Sequence, residues 1–112
     1  MRHCDHAWID VGAHDPARAL ALYTRACDFG FAPGCTRAGV VHLTRGTEED
    51  LEEAASWLIR ACEGSDAEAC GVLARLHETG HGVPLDPARA TELRQKACDG
   101  GFAPSCGVAA TP

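Results

Sequence analysis

Apolar positions along this chain recur in steps of three and four, which places them on single faces of helices. Ala19, Leu22 and Ala26 form one such set, Ala54, Trp57 and Ala61 a second, and Ala90, Leu93 and Ala97 a third. Asp15-Pro16 and Asp86-Pro87 open the first and third of these helices, Asp as a cap and Pro at a position where its missing N–H costs nothing. Asp50-Leu51-Glu52-Glu53-Ala54 is the middle version of that start. Each helix is expected to stop at a glycine in the left-handed conformation: Gly30, Gly64 and Gly100-Gly101. A second helix then starts near Pro33, Glu68 or Pro104. The columns Cys35/Cys70, Ala38/Leu73 and His42/His77 mark its buried face, and Gly46 and Gly80 end it.

The helix pairs are copies of one another. Ala26-Cys27-Asp28-Phe29-Gly30-Phe31-Ala32-Pro33-Gly34-Cys35 returns as Ala97-Cys98-Asp99-Gly100-Gly101-Phe102-Ala103-Pro104-Ser105-Cys106. Ala61-Cys62-Glu63-Gly64-Ser65-Asp66-Ala67-Glu68-Ala69-Cys70 is a looser third version. The spacing between copies, 35 and then 36 residues, is that of a helical repeat array. The fold class expected is all-α, an α/α solenoid of helix-turn-helix units in one domain. Residues 1–14 are a partial unit, with Ala7, Trp8 and Val11 on one helical face; 15–49 and 50–85 are full units, and 86–112 is a truncated third. A unit alone cannot bury its apolar face, so stacking supplies the partner.

Charge narrows the function. The 112 residues include 16 acidic and 10 basic ones, a net charge of −6. That argues against a nucleic-acid or anionic-membrane binder, which would carry a basic face. No apolar run is long enough to span a membrane. The start, Met1-Arg2-His3-Cys4-Asp5-His6, lacks the form of a signal peptide, yet seven cysteines are heavy usage for a reducing compartment. The favoured expectation is a periplasmic or secreted protein whose signal is missing from this version of the chain. A cytoplasmic chain with reduced thiols is the alternative.

Leu73-Ala74, His77, Gly80-His81-Gly82-Val83-Pro84-Leu85-Asp86 and Ala90 resemble the Sel-one-like repeat family, a relative of the tetratricopeptide repeats. The Ala-Cys-Asp-Gly-Gly phrase with its second cysteine further resembles the Helicobacter cysteine-rich branch of that family. This resemblance, over about residues 15 to 110, implies stacked helix pairs in which the two cysteines of each unit are bridged. It departs from the family at His42 and His77, where tyrosine is usual, and in lacking a Gly-x-Gly-Val loop between the first two units.

Residues i and i+8 on either side of a tight helix turn also come near disulfide distance. The pairs expected are therefore Cys27–Cys35, Cys62–Cys70 and Cys98–Cys106, with Cys4 left over. Cysteines packed as small reduced hydrophobes are one alternative, and metal or haem ligation another. No Cys-x-x-Cys occurs, and no closely spaced pair has zinc-ligand spacing. No cofactor is expected. His3 near an amino terminus, and His3 with Cys4 and His6, are weak metal candidates.

Three readings of function follow. The first is an interaction module that takes a protein or peptide partner on the concave face, which the first helices line in related solenoids. Candidate contact residues are Ala21, Thr24, Arg25, Ser56, Arg60, Glu92, Gln95 and Lys96. The exposed terminal repeat offers a further route to association. The second reading, a β-lactam-binding or β-lactamase-like protein, is implied only by the resemblance. Ser56, Ser65 and Ser105 lack the Ser-x-x-Lys and Gly-x-Ser-x-Gly contexts of an acylating serine. The third is a thiol, metal or haem-related assembly factor. The acidic run Glu48-Glu49-Asp50 with Glu52-Glu53 reads as a helix start, where the helix dipole favours negative charge, or as a docking patch.

Overall fold

The computed structural model describes residues 16–110. The partial unit at 1–14, the cap Asp15 and the candidates His3, Cys4 and His6 lie outside the described residues. Six helices follow in order: α1 (Pro16–Asp28), α2 (Ala32–Arg45), α3 (Glu48–Glu63), α4 (Ala67–Thr79), α5 (Pro87–Asp99) and α6 (Ala103–Ala110). Each packs chiefly on its neighbours in sequence, which is the construction of a solenoid. The molecule measures 55 × 29 × 25 Å, and its radius of gyration is 15.5 Å. A compact domain of this length would have a radius of about 13 Å. Among the described residues no helix is long and apolar enough to cross a membrane.

The core runs along the middle of the array. Ala54, Leu58 and Ala61 of α3, Ala69, Leu73 and Ala74 of α4, and Ala90, Leu93 and Ala97 of α5 are all buried. The alanines of the repeated stripe let adjacent helices approach, and Leu58 and Leu93 fill the space between them. In the first unit the corresponding residue, Leu22, in register with Trp57 and Leu93, is 59% exposed.

All three first-to-second helix turns use the same backbone bonds. Phe31, Asp66 and Phe102 donate their N–H groups to the carbonyls of Ala26, Ala61 and Ala97. Gly30, Ser65 and Gly101 donate to Cys27, Cys62 and Cys98. This pair of bonds is a Schellman stop, which needs a left-handed residue. Gly30 (φ 92°) and Gly101 (φ 99°) supply it, but in the middle unit the left-handed residue is Ser65 (φ 72°), not Gly64. Gly64 and Gly100 serve a different purpose. A Cβ at Gly64 would stand 3.0 Å from the Ala32 Cβ, and one at Gly100 would stand 2.9 Å from that of Ala67. These glycines admit the start of the preceding unit's second helix. Phe29 holds the corresponding place in the first unit and is 86% exposed.

Gly46 and Gly80 end α2 and α4 in the left-handed conformation. The middle first helix starts earlier than the alignment on Asp50 implies. Its cap is Thr47, whose hydroxyl accepts from the Asp50 N–H at 3.1 Å and donates to the Asp50 carboxylate at 2.8 Å. A two-residue link therefore joins α2 to α3, whereas residues 80–86 join α4 to α5.

Candidate interaction face

The candidate contact residues lie on the three first helices, α1, α3 and α5, at the repeat spacing. Arg25, Arg60 and Lys96 share one column and are exposed near the helix C-termini. Ala21, Ser56 and Glu92 form a second exposed column. Thr24 and Gln95 belong to a third, in which Thr24 is half-buried and Ile59 is 39% exposed.

Several of these side chains are already engaged within the chain. Arg60 reaches back to Asp28 of the preceding unit at 3.4 Å, and its guanidinium lies 5.0 Å from the centre of the Trp57 ring. Glu92 pairs with Arg89 at 3.2 Å, Gln95 donates to Asp99 at 3.0 Å, and the Thr24 hydroxyl donates to the Ala21 carbonyl at 2.9 Å. Among the described residues Arg25, Ser56 and Lys96 have no such side-chain partner. They are the positions from which this face has unspent hydrogen-bonding capacity. The Trp57 indole N–H is also buried without an acceptor among the described residues.

The structure also joins units through contacts that periodicity does not reveal. Between the first two units Thr36 donates to the carboxylate of Asp66, and Arg37 pairs with Glu68 at 2.7 Å. Between the second and third, Phe102 occupies the column of Asp66, and its ring covers Gly71, which occupies the column of Thr36. Arg94 pairs with Glu78 across α5 and α4. One junction is polar and the other apolar at the same place in the repeat.

The histidine column is tied into the framework. His42 is 9% exposed, and its Nδ1 lies 3.0 Å from Asp50. His77 Nδ1 lies 3.0 Å from the Pro84 carbonyl. The bonds from His42 and then Thr47 hold the Asp50 carboxyl below its ordinary 3.8. An open cleft of about 650 Å³ beside this pair is lined by His42, Asp50, Ser56 and three glutamates of α3.

Each unit carries one bridge: Cys27–Cys35, Cys62–Cys70 and Cys98–Cys106, every pair with Cα atoms 4.7 Å apart. The turn geometry explains the repeated distance, because the Schellman stop folds the second helix back across the end of the first. Among the described residues no three His, Cys, Asp or Glu side chains converge as a metal set. Ser105 is 5% exposed, whereas Ser56 and Ser65 are exposed.

Comparison with known proteins matches this architecture. The Sel1 repeat pattern covers residues 9–30, 32–66 and 67–102, which is most of the chain. The breaks at Ala32 and Ala67 fall at the starts of second helices. Among solved structures, cysteine rich protein B of Helicobacter pylori is similar at 27% identity with a TM-score of 0.74, over 80% of this chain and 68% of that one. No curated protein matches the chain.

Proposed function

The chain belongs to the Sel1 repeat family, and from that premise we propose that it is a protein-protein interaction module that receives an extended segment of its partner across α1, α3 and α5. The observation that carries this reading is the Arg25/Arg60/Lys96 column. Stacking brings residues 35 and 36 positions apart into one line on successive helices. An extended segment laid across α1, α3 and α5 would meet the column once at each first helix. Arg25 and Lys96 are available for such a segment, with Ser56 between them. Arg60 stiffens the middle of the face through Asp28 and Trp57.

The three bridges support a location outside the reducing cytoplasm, in the periplasm or beyond the cell. Their cysteines are used for structure, which supports an interaction role over thiol chemistry. The test is affinity capture from an extracytoplasmic extract with the wild type and with the R25E/R60E/K96E variant, both shown to be helical. The proposal expects the variant to lose specific partners that the wild type retains. An identical set of captured proteins would contradict this face.

A further inference from the structure

One acidic surface of the solenoid is not neutralised from within. Glu49, Glu52 and Glu53 are exposed along α3 at spacings of three and four, which stacks like charges on one another. No basic residue lies three or four positions from any of them on that helix. Among the described residues none of the three has a side-chain partner. The neighbouring first helices are built differently. The column of Glu53 holds Arg18 on α1 and Arg89 on α5, and Arg89 is paired with Glu92 at 3.2 Å. The column of Glu52 holds Ala17 and Ala88. The acidic run on this face belongs to the middle unit.

The cleft of about 650 Å³ beside that run has a second feature, supplied by α2. His42 lines it and is only 9% exposed. Its Nδ1 meets the Asp50 carboxylate at 3.0 Å. That carboxyl, held below its ordinary 3.8, is ionised at neutral pH and can only accept, so Nδ1 is the donor. In the neutral ring Nε2 is then a bare acceptor. It has no partner among the described residues, nor is it sealed from solvent. The cleft is the cavity onto which this ring opens. Arg45 approaches Asp50 at 4.0 Å but does not line the cleft.

Apart from the Ser56 hydroxyl, the side chains lining the cleft present acceptors: four carboxylates and one imidazole nitrogen. The ligand that fits them is a cation rich in N–H donors. Guanidinium carries five in one plane and stays charged, whereas an ammonium carries three at a single point. Each bond it makes to a carboxylate is charge-assisted. We propose that the cleft receives an arginine side chain of the partner segment. This rests on the reading of α1, α3 and α5 as the partner face, which the cleft joins at Ser56. The segment then carries arginine for the cleft and acidic residues for Arg25 and Lys96, and that charge order sets its register on the face.

The test is a nuclear magnetic resonance titration of the full chain with acetyl-arginine amide, the side chain as a polypeptide presents it. Amide shifts along α3 and the ring nitrogen shifts of His42 are followed at neutral pH. Acetyl-lysine amide, the uncharged acetyl-citrulline amide and spermidine are the comparisons. The expected result is a saturable shift from Glu49 to Ser56 and at His42 Nε2 with the arginine compound, a weaker one with lysine and none with citrulline. The E49Q/E52Q/E53Q variant replaces exposed glutamates with a comparable helix former, and it is expected to weaken binding at least about tenfold. No saturable shift, an equal response to the lysine or citrulline compound, or unchanged binding by the variant would overturn the proposal. Tighter binding of spermidine would assign the cleft to a free polyamine and overturn it as well. No partner protein enters this titration and Arg25, Arg60 and Lys96 are intact in it, so its failure removes the arginine site alone, whereas failure of the R25E/R60E/K96E capture removes the column.

Discussion

Ser65 sits at the one left-handed position of the three turns that is not glycine. A side chain there costs about 1–2 kcal/mol because Cβ crowds the backbone carbonyl, and glycine removes that cost but is itself more flexible when unfolded. The net expectation for Ser65→Gly is a stabilisation of about 0.5–1 kcal/mol, read as a higher denaturant midpoint with unchanged slope. An unchanged or lower midpoint would show that the backbone is not strained. The misassignment of this stop to Gly64 has a physical cause. Glycine serves two needs in these turns, conformation at Gly30 and Gly101 and close approach at Gly64 and Gly100, and residue type alone does not separate them. Only the Ala32 and Ala67 methyls reveal the second need, and they belong to the preceding units.

Among the first helices of the units, α3 departs from its copies. It runs for 16 residues where α5 has 13, because the Thr47–Asp50 pair caps it a few residues before the repeat alignment would start it. Thr-x-x-Asp is a capping signal visible in the sequence, but alignment on Asp86-Pro87 drew the start to Asp50. Asp50 is instead inside the first turn, accepting from Thr47 and paired with His42 of α2. Its folded carboxyl is held below the unfolded 3.8. The stabilisation is therefore fully present above the unfolded value and is lost as pH falls through the lower folded value. Asp50→Asn mimics the protonated form. The expected result is a variant less stable than wild type near neutral pH, with the gap closing well below pH 3.8. Unfolding curves across that range provide the check, and a gap independent of pH would remove the carboxylate from the account.

For the whole molecule, the helical architecture and the bridged repeat were legible because both are periodic: the alanine stripe, the glycine stops and the cysteines each return at the same spacing. The way one unit grips the next was not. Thr36–Asp66 and Arg37–Glu68 join residues about thirty positions apart, and the second junction replaces the first of these with Phe102 on Gly71. No column predicts a polar junction at one place and an apolar one at the next. The proposed partner face was legible only as a set of columns. That Arg60, Glu92 and Gln95 are engaged within the chain becomes visible when Asp28, Arg89 and Asp99 are placed beside them.

The central claim is that the bridges hold a thin solenoid together. Loop-closure entropy assigns each about 2.5 kcal/mol, so roughly 7 kcal/mol for three, against a total stability of about 5–15 kcal/mol for a small domain. The direct test is thermal unfolding followed by far-ultraviolet circular dichroism, on oxidised protein and on protein fully reduced and alkylated. The account predicts that the oxidised chain melts cooperatively at high temperature and that the reduced chain has lost most of its helix or melts far lower. A reduced chain with the same helicity and the same midpoint would contradict it, and the cysteines would then be packing residues only.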